Sequence, residues 1–194
     1  MWGLVEDNAI TKIINQPKAL VIGDTQYSKN IFSFRWSNEE REAIGLYEVV
    51  FDNTNKKDEA YYNNTNQTFA FADGAVTASF GSATAKALAD TTEDGIVTPG
   101  LKSNHKERIK YEASSLLTSY DWYVVKATEV GSYSVPSAVT TYRAAVRTAS
   151  NDMEVLIDAC GTVDELAALY EYVNTGTEEN PVMERPLGEF PEAV

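Results

Sequence analysis

From Pro136 to Cys160 the chain can be little other than a helix with one packed face. Apolar side chains recur at Val139, Tyr142, Val146, Ala149, Met153, Leu156 and Cys160, in alternating steps of three and four. That spacing lines up one stripe along a helix and presents it to a neighbouring helix. Pro136 suits the start, where a missing amide hydrogen costs nothing. A seam of about three heptads holding Ala149 and Cys160 is marginal as an isolated coiled coil. The expected partners are therefore residues 101–117 and 163–173 of the same domain.

Those neighbours carry helical patterns of their own. Leu101, His105, Ile109, Ala113 and Leu116 step along one face of a segment running from Leu101 to Leu117. Asp121 is placed to cap a short helix through Trp122, Tyr123 and Val125, ending near Gly131. Thr162-Val163-Asp164-Glu165 reads as a capping box opening a last helix with Leu166, Leu169, Tyr170 and Val173. From Asn174 onward, Pro181, Pro186, Pro191 and repeated glutamates describe an extended acidic tail without a core pattern.

Before residue 90 the pattern is different: short strands with turn chemistry between them. Glu6-Asp7-Asn8 separates two apolar pieces as a hairpin would, and Gly23-Asp24 follows Ala19 to Ile22 in the same way. Ser37-Asn38-Glu39-Glu40 fits a capping box for a short helix stopping at Gly45, and Leu46 to Phe51 follows as a strand. Asp73-Gly74 between alternating segments predicts a type I′ hairpin with Phe69, Phe71 and Val76 on one face. Alanine fills much of that ribbon, so it must lean on something else, another chain included. Ala83 to Ala89 is expected to form a helical turn or two. The fold class is α+β: a small β-rich N-terminal domain with hairpins over 1–90, a connector over 91–100, a helical domain over 101–173 and the tail over 174–194.

Composition narrows the function. The formal net charge of −13 opposes contact with nucleic acid backbones and anionic lipid, so the expected partners are neither nucleic acid nor membrane. A single cysteine, Cys160, and a single histidine, His105, give no metal-ligand spacing. Met1-Trp2-Gly3-Leu4-Val5 meets Glu6 and Asp7 before an apolar run develops, so a cytosolic place of synthesis is expected. His105 lies among Lys102, Lys106, Arg108 and Lys110 and reads as a surface or partly buried structural residue. Cys160 ends an apolar seam and reads as a buried, inert thiol. No catalytic residue, cofactor or metal is expected, and the chain is read as a binding protein rather than an enzyme. Trp122, Tyr123, Arg143 and Arg147 are the contact candidates, being of the residue types that anchor interfaces.

One stretch resembles a known family. Leu116-Leu117-Thr118-Ser119-Tyr120-Asp121-Trp122-Tyr123-Val124-Val125-Lys126-Ala127-Thr128-Glu129, with Val135-Pro136 and Tyr142-Arg143-Ala144-Ala145-Val146-Arg147 downstream, is similar to the helical C-terminal module of bacteriophage tail-fibre assembly proteins. The ending Arg185-Pro186-Leu187-Gly188-Glu189-Phe190-Pro191 and the start Met1 to Asn8 are similar to members of the same family. The resemblance spans about residues 101–160 and covers the β half loosely; the hairpins and Asn-rich loop there depart from it. It implies a phage tail-fibre accessory protein with no enzyme activity and no cofactor. The first expectation is an assembly chaperone binding the fibre or another tail protein, acting in the host cytoplasm. The alternative is a structural component retained in the virion tail, at the fibre tip or as a connector. A third reading is a receptor- or glycan-binding module with Trp36, Tyr61 and Tyr62 as stacking faces. Homo-oligomerisation stays open.

Overall fold

A computed structural model describes all 194 residues and divides them into two units, Met1–Thr84 and Ala85–Val194. Strands dominate the first and helices the second, so the α+β class stands.

In the first unit, β1 (Trp2–Glu6), β2 (Ala9–Ile14), β5 (Leu46–Asp52), β7 (Thr68–Ala72) and β8 (Ala75–Ser79) form one sheet in the order β2-β1-β5-β8-β7. Asp7 and Asn8, and then Asp73 and Gly74, all take positive φ, so both hairpins turn as the sequence predicts. The β1–β2 register slips between Leu4 and Val5, a bulge that increases local twist. The Asp73-Gly74 ribbon leans on its own chain: β8 runs parallel to β5, from Val49 opposite Val76 to Asp52 opposite Ser79.

Alternation then sorts the side chains. Trp2, Leu4 and Leu46 face one way, where Ile14, Leu20 and Ile31 bury them. That cover comes from the hairpin β3 (Leu20–Ile22) and β4 (Thr25–Tyr27), a 3-10 turn at Lys29–Phe32, and Trp36, which packs on the cluster. Val5, Val49, Val76 and Ala78 face the other way, with Phe69 and Phe71 against them. Gly3 lets Val76 approach closely: a Cβ on it would lie 3.0 Å from both Val76 methyl carbons, which would have to give by a few tenths of an ångström. The capping box of Ser37 and Glu40 is present and opens α1 (Asn38–Glu42). Arg41 ties the preceding loop down by donating to the carbonyls of Ile31 and Ser33, at 2.8 Å each. A two-residue strand, β6 (Tyr62–Asn63), lies in the Asn-rich loop.

Residues 83–89 are not helical. They hold the two-residue strand β9 (Thr84–Ala85) and coil, a correction explained by their use: the carbonyls of Ala87 and Leu88 accept hydrogen bonds from the first amides of the next helix. The expected connector is itself a hairpin, β10 (Thr91–Glu93) and β11 (Ile96–Thr98), turned at Asp94 and Gly95, both with positive φ. Its Ile96 and Val97 are exposed.

The second unit is built on α2 (Leu101–Thr118) and α4 (Ser137–Ala159), which run antiparallel. Lys106 pairs with Asp158 at 2.7 Å, Lys110 with Glu154 at 3.1 Å, and Arg143 donates to the Leu117 carbonyl at 2.9 Å. Between them α3 spans Asp121–Glu129, and α5 (Val163–Ala168) follows behind a complete Thr162–Glu165 capping box. The seam of α4 corrects the heptad reading. Its buried residues are Val139, Tyr142, Val146, Ser150, Met153 and Ile157. The steps are three, four, four, three and four, the 3.6-residue period of a straight helix rather than the 3.5 of a supercoil. The stripe therefore drifts by one position: Ile157 is fully buried and Leu156 is 39% exposed.

The tail is not extended, which is a further correction. Val173–Asn174 (β12) pairs with Met183–Glu184 (β13), and Gly188 at φ 83 turns the chain again. Leu187 is buried with its amide on the Leu169 carbonyl, and Phe190 packs against Ala113, Tyr142 and Val146. Two isolated apolar residues make no period, so the sequence pattern could not announce this docking.

Candidate functional site

The contact candidates gather around α3 and the α2–α4 pair that flanks it. Tyr120, not Asp121, occupies the cap of α3, and it makes no side-chain capping bond. Asp121 is the first helical residue. Its carboxylate lies 2.8 Å from the Arg143 guanidinium, where the positive end of the helix also favours it. The capping expectation for Asp121 is corrected accordingly: the side chain that would have capped is taken by a cation.

Arg143 and Arg147, one turn apart on α4, have separate fates. The Arg143 side chain is only 12% exposed and is held by Asp121 and the Leu117 carbonyl. It braces the helix pair. Arg147 is exposed; its guanidinium donates only to the Arg143 carbonyl, at 3.2 Å, and forms no ion pair.

Helix α3 buries none of its nine residues. Trp122 is 51% exposed, and Val124 and Val125 stand at 42% and 53%. Tyr123 is half-buried, its ring tilted at 33° against that of Trp122 with 3.8 Å between ring centres. Lys126 sits 5.6 Å from the Trp122 ring and 4.3 Å from that of Tyr133, so its charge edges an aromatic surface. Beneath this end lies an aromatic step, Tyr120 against Tyr142 at 4.9 Å, with the Tyr142 hydroxyl buried and unpartnered.

A groove of about 500 Å³ opens beside α3, between α2 and α4. The Arg143–Asp121 pair closes one end and the Lys110–Glu154 pair the other. Its middle holds Arg147, Ser150 and Asn151 opposite Ala113, Ser114 and Leu117. The sequence reading missed Ser150 and Asn151. Their offsets of three and four from Arg147 were the available signal.

The remaining candidates are held by neighbouring groups. His105 sets Nδ1 2.7 Å from the Tyr170 hydroxyl, and burial, with the nearby Arg108 charge second, holds its pKa down. Cys160 is buried, its thiol donating to the Leu156 carbonyl, and burial pushes its pKa up. No group of three or more His, Cys, Asp or Glu side chains is placed to hold a metal ion. Trp36 is partly buried, packed on the core of the β unit and edge-on to Tyr27 at 6.1 Å. Phe34, two residues before it, is 95% exposed. No helix is long and apolar enough to cross a membrane. Compared with known proteins, the chain matches no protein-family model, no curated protein and no solved structure.

Proposed function

We propose that the chain is a protein-binding accessory of a bacteriophage tail fibre, an assembly chaperone that docks through α3. One observation supports docking above all: α3 carries Trp122, Val124 and Val125 on a helix with no buried residue. Leaving about half of each of these side chains in water forgoes roughly half of the ~1.5–3 kcal/mol that full burial of one such side chain is worth. Trp122 and Val125, three apart, share one face of the helix, and an exposed apolar face is the kind of surface that partners bind. Trp122 with the Tyr123 ring against it is the rigid aromatic pair that interfaces favour as an anchor. The fibre as partner rests on the resemblance of residues 116–147 to tail-fibre assembly proteins, and the same helix lies inside that stretch.

Co-expression with the fibre protein, followed by affinity capture through a tag on this chain, tests the reading. A chaperone should hold the fibre in the cell extract and be absent from purified particles. Presence in particles at a fixed ratio would make it a structural tail component instead. Failure to capture any fibre would remove the fibre as partner.

A further inference from the structure

We propose that the α2–α4 groove is a receptor for one carboxylate, supplied by an Asp or Glu in an extended segment of a partner protein. This deepens the protein-binding reading and rests on it, though not on the partner being a fibre.

The groove holds three cations and two carboxylates. Arg143 is spent on Asp121 and Lys110 on Glu154, which leaves Arg147 as the uncompensated charge. In a chain of net charge −13 the groove thus carries one cation more than its two carboxylates neutralise. One turn further along α4 lies Ser150, the buried polar residue of the core. It is 7% exposed, it lines the groove, and its hydroxyl makes no hydrogen bond within the protein. That hydroxyl is open to the groove and free to donate to a ligand oxygen. Asn151 adds an amide on the same wall. A carboxylate can accept from a guanidinium fork, a hydroxyl and an amide together, which is the donor set assembled here.

The other wall shapes the segment around the acid. Ala113 and Leu117 give it an apolar surface, suited to an aliphatic side chain next to the carboxylate. From Lys110 to Thr118 the groove follows α2 for roughly 12 Å at the helical rise. An extended peptide covers that in about four residues. The occupant is therefore a short acidic-aliphatic strand rather than a helix, and binding should weaken with salt.

The test uses the full chain labelled with nitrogen-15 and a terminally blocked probe, Ala-Leu-Glu-Leu-Ala. Saturable shifts at Arg147, Ser150 and Asn151 are expected. The glutamine version of the probe should bind at least tenfold more weakly, and inorganic phosphate should not reproduce the shifts. Arg147→Gln should weaken the probe tenfold or more and Ser150→Ala several-fold, both at unchanged melting temperature; Lys126→Gln, on α3, should leave it unaltered. Equal binding of the glutamine probe, equal shifts with phosphate, shifts confined to α3, or wild-type binding by both groove variants would each overturn the proposal. Fibre capture through α3 is read separately, so loss of one does not imply loss of the other.

Discussion

Helices α3 and α4 follow one another in the chain and use their apolar residues in opposite ways. Along α4, about one residue per turn is buried from Val139 to Ile157, and both neighbours in the pair are fixed by it. Along α3, Trp122, Val124 and Val125 stay in solvent, and its fixed points are Tyr123 against the Trp122 ring and Asp121 in the ion pair with Arg143. Apolar content therefore does not distinguish them; the availability of a facing surface does. The difference teaches that α4 holds the unit together while α3 is displayed by it. The two arginines repeat the contrast on a smaller scale, Arg143 turned inward and Arg147 outward.

The largest effect should come from the register of α4. Ile157→Ala should cost about 2–5 kcal/mol, whereas Leu156→Ala next to it should cost about 1 kcal/mol or less. Urea unfolding of the two variants breaks the account if they are equally damaged. Arg143→Ala removes the bonds to Leu117 and Asp121 and should cost about 1–3 kcal/mol, against about 0.5 kcal/mol or less for Arg147→Ala. Equal losses would erase the inward–outward distinction. Thr162→Ala, which opens the capping box of α5, should cost about 1 kcal/mol by thermal melting.

The smallest effect is a pH dependence. Burial lowers the His105 pKa, so the folded protein takes up that proton at lower pH than the unfolded chain, whose imidazole titrates near pH 6.5. The stability it contributes is complete above about pH 6.5. It declines as pH falls below that value, until the folded imidazole also protonates. His105→Gln should therefore show a shallower loss of urea midpoint between pH 7.5 and pH 5 than the parent protein. Identical slopes would mean that burial does not discriminate against the charged ring.

What could be read from sequence depended on how local the cause was. Asp7-Asn8, Asp73-Gly74, Ser37–Glu40 and Thr162–Glu165 act within four residues of themselves, and each forms the turn or cap expected. The parallel pairing of β5 with β8 joins Val49 to Val76, and no short pattern encodes so long a link. Leu187 and Phe190 dock singly, so they carry no period. Of the candidate contacts, Trp122, Tyr123, Arg143 and Arg147 were visible as residue types. That Trp122 and Arg147 face solvent while Arg143 is spent internally depends on Leu117 and Asp121 being brought alongside α4. Ser150 was hidden because a serine at a seam position reads as an interruption rather than as a donor.

The central claim is that α3 is a displayed docking surface, and the double variant Trp122→Ala, Val125→Ser tests it most directly. Tagged parent and variant chains are each co-expressed with the fibre protein, and captured fibre is measured beside the melting temperature of the purified chain. The account predicts that fibre capture is lost while the melting temperature moves little, since these side chains contribute about 1 kcal/mol or less to the fold. Undiminished capture would show that α3 is not the docking surface. A collapse in melting temperature would show that these side chains hold the unit together, contradicting the contrast with α4.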